Sequence, residues 1–116
     1  MLREMCKSKI HRLTVTDGNI HYEGSITIDE TLLKAADMLP YEKVHVVNIT
    51  NGNRLVTYTI PGQPGNGDVC LNGAAALLCN KGDIIIVISY AAYNEQELKN
   101  YKPKIVKVDS KNRVIV

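Results

Sequence analysis

The sequence predicts a mainly β protein, a small β-barrel with short helices, and three observations favour this fold class. At 116 residues, the chain (1–116) has the length of a single domain that can bury a sizeable core. Several short stretches alternate apolar and polar residues or are rich in β-branched residues, as strands are. The helical stretches are short, and the long crossover helices of a parallel α/β sheet are missing from the pattern.

The first elements are a strand, a turn and a returning strand. Residues 9–16 alternate and carry Thr and Val, which predicts a strand. Asp17-Gly18-Asn19 predicts a turn. Residues 20–22 then begin a returning strand that runs into Gly24-Ser25.

A helix is predicted next, over residues 30–39. Asp29 precedes it and is a favourable N-cap, and Pro40 ends it. The apolar residues at helical spacing are Leu32, Leu33, Ala36 and Leu39.

A hairpin is predicted around Asn51-Gly52, which is a strong short-range turn signal. Its strands are residues 44–50 and 53–60. A two-residue loop pairs Thr50 with Asn53, Val47 with Val56 and His45 with Tyr58. In that register Arg54, Val56 and Tyr58 share a face with Ile49, Val47 and His45. Thr57 points to the opposite face unless a bulge intervenes.

The second half of the chain predicts further short elements. Asn72 caps a short helix over residues 73–79, and Gly82 terminates it. Residues 84–90 are a continuous apolar run, which predicts a central, buried strand. The remaining elements are a strand at 69–71, helical turns at 94–100 and a last hairpin of residues 104–109 and 113–116.

Composition and charge argue against several classes of protein. The net charge of +2 is spread without a block of like charges, unlike a nucleic-acid-binding surface. No apolar run reaches the roughly 18 residues of a membrane span, and residues 1–7 lack a secretory pattern, so we expect a cytoplasmic protein. Cys6, Cys70 and Cys79 have neither disulfide nor zinc spacing, which predicts reduced, mostly buried thiols. No metal site is expected.

Two segments are candidate anion sites. Asn72 opens a helix whose next residues, Gly73, Ala74 and Ala75, would let an anion approach the free N–H groups, although a packed, capped helix is the alternative. Arg54 and Tyr58 share a strand face, where Arg can hold a carboxylate and Tyr can deliver a proton. The alternative there is a solvated sheet face. Lys9 and His11 likewise share a face of the first strand.

The Gly24-Ser25 bond is a candidate self-cleavage point. Glycine tolerates strained dihedral angles and leaves its carbonyl unobstructed. The Ser25 hydroxyl lies next to that carbonyl and can attack it, which exchanges an amide for an ester. Because Gly-Ser dipeptides are common, the residues around this one decide whether it is evidence for self-cleavage.

Taken together, these segments resemble the bacterial aspartate 1-decarboxylases, pyruvoyl enzymes that make β-alanine. The matching stretches occur in the same order as in that family, from the start of the chain to about Asp109. The matching stretches are Lys7-Ser8-Lys9-Ile10-His11-Arg12, Thr14-Val15-Thr16, Tyr22-Glu23-Gly24-Ser25, Thr50-Asn51-Gly52-Asn53-Arg54, Thr57-Tyr58, Asn72-Gly73-Ala74-Ala75-Ala76, Gly82-Asp83-Ile84 and Lys102-Pro103-Lys104-Ile105-Val106.

The resemblance implies a double-psi β-barrel, usually a homotetramer with sites where subunits meet. It implies that the chain cuts itself between Gly24 and Ser25, into residues 1–24 and 25–116. Ser25 would form an ester, elimination would leave dehydroalanine, and hydrolysis would release ammonia and leave a pyruvoyl group. Its ketone would form a Schiff base with L-aspartate and accept the electrons of the departing α-carboxylate. The products are β-alanine, which supplies pantothenate biosynthesis, and CO2.

The resemblance also implies residue roles. Arg54, with Lys9, would hold the β-carboxylate, and Tyr58 would protonate the α-carbon. Thr57 would stabilise the oxyanion during self-cleavage and contact substrate. The remaining substrate contacts would come from Asn72, Gly73, Ala74 and Ala75.

Three positions depart from the family pattern, and one other function stays open. Leu55 and Val56 replace the Phe-Ser often found there, and Val47 stands where some members have an aromatic residue. The alternative function is a non-catalytic β-barrel module that binds an anionic partner through its mild basic charge.

Overall fold

The structure, a computed structural model, describes residues 1–115 and is mainly β. Within those residues, two short α-helices and one 3-10 helix accompany eight strands. The strands are β1 Arg3–Thr14, β2 Asp17–Asn19, β3 Ser25–Asp29, β4 Lys43–Asn48, β5 Arg54–Gly62, β6 Val69–Asn72, β7 Ile84–Tyr93 and β8 Lys104–Lys107. The α-helices are α1 Glu30–Ala35 and α2 Glu95–Leu98, and the 3-10 helix is Gly73–Leu77.

The eight strands form one sheet in the order β2-β6-β3-β5-β4-β7-β1-β8, which does not close. Most neighbours are antiparallel, whereas β2–β6, β3–β5 and β1–β8 are parallel. Buried apolar side chains from nearly every strand and from α1 form one core. The mainly β fold class is confirmed, and this arrangement is consistent with a double-psi β-barrel. Within residues 1–115, no helix has the length and apolar character to cross a bilayer.

Strand β7 is central, as predicted, because it pairs with both β1 and β4. It is buried on one face only, since Ile85 and Val87 are in the core while Ile86 and Ile88 are half-buried. The sheet therefore has a second, partly apolar side. We call this side of β5, β4, β7 and β1 the outer face. Its members by register are Arg54, Val56 and Tyr58, then Lys43, His45 and Val47, then Ile86 and Ile88, and Lys9.

The predicted turn and returning strand near the N-terminus are wrong. Asp17–Asn19 is a strand that pairs in parallel with β6, and the chain turns at residues 20–22 instead. The Tyr22 N–H donates to the Asn19 carbonyl across that turn, at 3.3 Å. The returning strand starts only at Ser25. The partner of β2, strand β6, is about 50 residues away in sequence, so the local pattern could not show this pairing.

Helix α1 begins as predicted but ends early. The Asp29 carboxylate accepts the Thr31 N–H at 2.8 Å, which confirms the N-cap. The predicted end at residue 39 is wrong, because Asp37 adopts a left-handed conformation (φ 55°). Its N–H bonds the Lys34 carbonyl and the next N–H bonds the Leu33 carbonyl, a Schellman ending reached before Pro40.

The β4–β5 hairpin exists, but its register differs by two residues from the prediction. Val47 pairs with Arg54, and because β4 ends at Asn48 and β5 begins at Arg54, the loop has five residues, 49–53, instead of two. The Asn48 carboxamide oxygen accepts the N–H groups of Thr50 and Asn51 and thereby widens the loop. A shift of two residues keeps every side chain on its predicted face. Val56 and Tyr58 therefore still share the outer face.

The elements after residue 68 are largely where the sequence predicts them. Strand β6 and helix α2 are confirmed, and α2 has a capping box between Asn94 and Glu97. The helix predicted over 73–79 is a 3-10 helix that ends at Leu77. Gly82 does not terminate it, because its N–H donates to the Val15 carbonyl in a separate turn.

The last predicted hairpin is reduced to a small contact. Residues 104–107 form β8, which pairs in parallel with β1. The returning segment contributes one bridge, between Val108 and Val114. Val116, the last residue of that prediction, lies outside the described residues.

Candidate active site

Ser25 is the first residue of β3 and is fully buried. It lies opposite Asn72 of β6, whose carboxamide Nδ2 donates to the Ser25 Oγ at 2.9 Å. The Ser25 hydroxyl donates to the Glu23 carbonyl at 3.1 Å. The same Nδ2 also donates to the Thr27 Oγ1, at 3.0 Å. The Ser25 oxygen is therefore held on both sides, directly next to the exposed Gly24.

Gly73 packs against the backbone at the Gly24-Ser25 bond. A Cβ on Gly73 would lie 2.8 Å from both the N and the Cα of Gly24, and 3.0 Å from the Tyr22 carbonyl oxygen. Gly73 also has φ +65°, a conformation that favours glycine. The bond can occupy this place only because residue 73 has no side chain.

A cavity of about 370 Å³ opens at this bond. Gly24 forms one wall, the 3-10 helix contributes a second, and a stretch of β5 forms a third. The lining residues are Gly24, Leu55, Val56, Thr57, Tyr58, Ala74, Ala75 and Leu78. Five predicted site residues are therefore brought to one cavity, namely Gly24, Thr57, Tyr58, Ala74 and Ala75.

Thr57 and Tyr58 both reach this cavity although they alternate along β5. The β4–β5 ladder has no bulge over this stretch. The reason is instead that β3 pairs with β5 only from Thr59 onward, which leaves that edge of residues 55–58 unpaired by β3. A cavity at a strand edge touches side chains of both faces. The same register extended backward brings Ser25 alongside Tyr58.

Lys9 and Arg54 do not line this cavity, although Arg54 directly precedes Leu55, which does. Lys9 is on the outer face of β1 and pairs with Ile88 of β7. Three strand spacings separate it from Val56 of β5, which is about 14 Å. Arg54 is exposed at the start of β5, four residues or about 13 Å from Tyr58. Within one copy of the described chain, neither is among the lining residues.

The surroundings of Lys9 are cationic. Burial and the charges of Lys9, Arg12 and Lys107 lower the pKa of His11 from its ordinary value. His11 is therefore neutral at physiological pH. This stretch of β1 offers a positive field to an anion such as a carboxylate.

Two predictions about side chains need correction. Asn72 does not cap the following helix, because its amide is turned toward Ser25. The thiols are free, as expected, but only Cys79 is buried, whereas Cys6 and Cys70 are half-buried. Within residues 1–115, no three His, Cys, Asp or Glu side chains are grouped to hold a metal ion.

The structure adds site residues that the sequence argument missed. Leu78 lines the cavity, and its carbonyl accepts three Asn side chains, those of Asn48, Asn51 and Asn53. The ring of Tyr41 lies 6.0 Å from that of Tyr58. Thr27 and Cys70 contact Asn72, and a period-two reading from Ser25 and Asn72 could have found both.

Fold and site together define a class: a small, mainly β protein in which a buried serine follows a glycine that lines an open cavity. Comparison with known proteins agrees with this class. The sequence profile of the aspartate decarboxylase family matches residues 1–115. This chain belongs to the aspartate decarboxylase family.

Three relatives illustrate the similarity, and each is an aspartate 1-decarboxylase. The protein of Thermoanaerobacter pseudethanolicus is 58% identical over 115 residues, which are 99% of this chain and 98% of the relative. That of Syntrophobacter fumaroxidans is 57% identical over 113 residues, 97% of this chain and 91% of the relative. That of Listeria monocytogenes is 54% identical over 114 residues, 98% of this chain and 90% of the relative.

Proposed function

We propose that this chain is a proenzyme that cuts itself between Gly24 and Ser25 and then converts L-aspartate to β-alanine and CO2. The observation that carries the proposal is the Ser25 hydroxyl, buried and fixed by Asn72 next to a glycine that lines the cavity. Family membership and relatives that are aspartate 1-decarboxylases support the reaction. The family's reaction makes the chain a carbon-carbon lyase.

Self-cleavage needs a serine oxygen near the Gly24 carbonyl and a place for the oxyanion. Ser25 Oγ attacks that carbonyl, and the peptide nitrogen becomes a free amine as the ester forms. Thr57 lines the same cavity and is the candidate donor to the oxyanion. Elimination then frees the Gly24 carboxylate, and one water releases ammonia and leaves the pyruvoyl group on residue 25.

The site suits a pyruvoyl group at residue 25. Gly73 forms a cradle that a Cβ would fill, and Asn72 offers an N–H to the oxygen on residue 25. When formed, the pyruvoyl ketone supplies an electron sink that no natural side chain has. Backbone groups of Gly73, Ala74 and Ala75 would position the substrate beside it.

The remaining side chains would bind and protonate. Tyr58 lines the cavity, and its hydroxyl can deliver a proton to the α-carbon after CO2 leaves. Arg54 and Lys9 would hold the β-carboxylate, and the cationic surroundings of Lys9 favour that role.

We assign the functional unit to a homotetramer with shared sites. Within one copy, neither Lys9 nor Arg54 is among the residues that line the cavity, and the backbone of Lys9 is about 14 Å, three strand spacings, from that of Val56. The outer face is apolar at Val47, Ile86 and Ile88, and Val56 there is 54% exposed. A second copy on this face would cover these side chains and bring its own cations to the cavity. The free thiols suit the cytoplasm, where β-alanine would supply pantothenate synthesis.

The mass of the purified protein under denaturing conditions tests the proposal. We expect two fragments, residues 1–24 and 25–116. The larger fragment should carry a ketone, so borohydride treatment in the presence of L-aspartate should couple aspartate to it covalently. Ser25→Ala should leave one intact chain without activity, because the nucleophile is gone, while the fold is retained. An uncut wild-type chain would contradict the proposal and favour a non-catalytic module that binds an anion.

A further inference from the structure

Four polar side chains form one cluster on strands β3 and β6. In the antiparallel register, Ser25 faces Asn72 and Thr27 faces Cys70. Side chains of directly opposed residues point to the same side of a sheet. The residues that alternate with them on both strands are in the core. The cluster is therefore a polar layer that lies next to the Gly24-Ser25 bond.

The Asn72 amide is at the centre of this cluster and has a defined orientation. Both of its N–H groups are used, on the Ser25 and Thr27 oxygens. Its carboxamide oxygen faces the Cys70 sulfur at 3.3 Å, close enough to accept the thiol proton. Burial, together with the charges of Asp17 and Asp68, raises the pKa of the Cys70 thiol. The thiol is therefore protonated and able to donate at neutral pH.

The opposite orientation of this amide would lose the contacts to Ser25 and Cys70. A 180° turn would direct the carboxamide oxygen at two hydroxyl oxygens and the NH2 group at a sulfur. The Ser25 proton is already committed to the Glu23 carbonyl, so Ser25 has no donor for that oxygen. Sulfur is only a weak acceptor for an N–H. A donor at residue 70 selects the orientation that holds Ser25.

We infer that Cys70 is a positioning residue for self-cleavage, and that its thiol proton keeps the Asn72 amide turned toward the Ser25 hydroxyl. The inference rests on the proposed self-cleavage at Gly24-Ser25. Cys70 does not touch the reacting atoms. It acts through Asn72, and any donor of similar size at residue 70 should serve.

The rate at which the freshly translated chain splits into its two fragments, followed by mass spectrometry, tests this inference. Cys70→Val removes the donor and adds about the volume of one methyl group, so cleavage should slow by about two- to tenfold, the value of one neutral hydrogen bond. Cys70→Ser restores a donor and should cleave within about twofold of wild type. Cys6→Val is the matched control, since Cys6 is also half-buried on a strand but its thiol contacts only backbone, and it should cleave normally.

The outcomes separate this inference from the proposed function. Wild type that never splits contradicts the proposed function itself. Wild type that splits while Cys70→Val splits equally fast overturns the role of Cys70, as does Cys70→Ser splitting as slowly as Cys70→Val. Thermal unfolding in the Ser25→Ala background identifies a variant that fails to fold. Should Cys70→Val fail to fold, Cys70→Ala takes its place under the same criteria.

Discussion

Tyr58 offers a way to separate self-cleavage from turnover at the scale of one atom. Tyr58→Phe removes only the hydroxyl, so the chain should still split while decarboxylation falls by about 100-fold or more, the usual contribution of a general acid. Fragment masses and CO2 release measure the two steps. Tyr41→Phe is the control, because it keeps the ring that lies against Tyr58. Loss of cleavage in Tyr58→Phe would show that the role is misassigned.

Gly73 is a second residue whose effect can be isolated. Gly73→Ala places a methyl group 2.8 Å from the Gly24 backbone, so we expect cleavage to slow by at least about tenfold as the bond is displaced. Gly52→Ala is the matched control, since Gly52 also has a positive φ (+81°) but nothing within 4 Å. It should cost about 1 kcal/mol of stability and leave cleavage unchanged. Equal cleavage rates in both variants would contradict the close-packing argument.

At the scale of elements, Asp29 connects β3, α1 and the loop of residues 63–68. Its carboxylate accepts N–H groups from Thr31, Gly65 and Gly67. Burial alone would raise the pKa of Asp29, but the N–H groups of Gly67, Gly65 and Thr31 outweigh it and hold the pKa below its ordinary value. A lowered carboxyl pKa stabilises the fold above the unfolded value of about 4, and this stability is lost as pH falls through the folded pKa.

Asp29→Asn should therefore lower the free energy of unfolding at pH 7 by about 1–3 kcal/mol, and the difference from wild type should shrink below pH 4. Urea unfolding at several pH values, in the Ser25→Ala background, measures this. Glu30→Gln is the control, because Glu30 has only an exposed i,i+4 pair with Lys34 and should change little. A difference that is constant across pH would contradict the linkage.

At the scale of the whole molecule, shared sites predict complementation between inactive variants. Lys9→Ala and Tyr58→Phe chains should each be inactive alone. Co-expressed one to one, they should recover about a quarter of the sites, because a symmetric oligomer then contains pairs with one intact Lys9 and one intact Tyr58. Decarboxylation by the mixed oligomer measures this. No recovery, from oligomers shown by native mass to be mixed, would place both residues in one copy.

Local chemistry explains how much of this molecule the sequence could predict. The Asp29 cap, the helical turns predicted at 94–100 and the faces of β4 and β5 depend on neighbours in sequence, and all three are confirmed, the helix spanning Glu95–Leu98. The pairing of β2 with β6 and the amide contacts of Asn48 and Asn72 depend on distant segments, and there the prediction was wrong or silent. Local chemistry and the resemblance together supplied the site residues, the resemblance supplied their roles, and the structure supplied the strand edge where Thr57 and Tyr58 meet.

The position of β1 between β7 and β8 has a consequence for the lifetime of the protein. A cut after Gly24 would separate residues 1–24 from the rest of the chain without releasing them, because β1 is hydrogen-bonded on both sides within the sheet. Once melted, such a molecule must reassemble from separate pieces, so its recovery would depend on dilution whereas that of the uncut precursor would not. Unfolding would thus be harder to reverse after maturation than before it. The stability of the mature protein would therefore depend on β1 staying paired within the sheet.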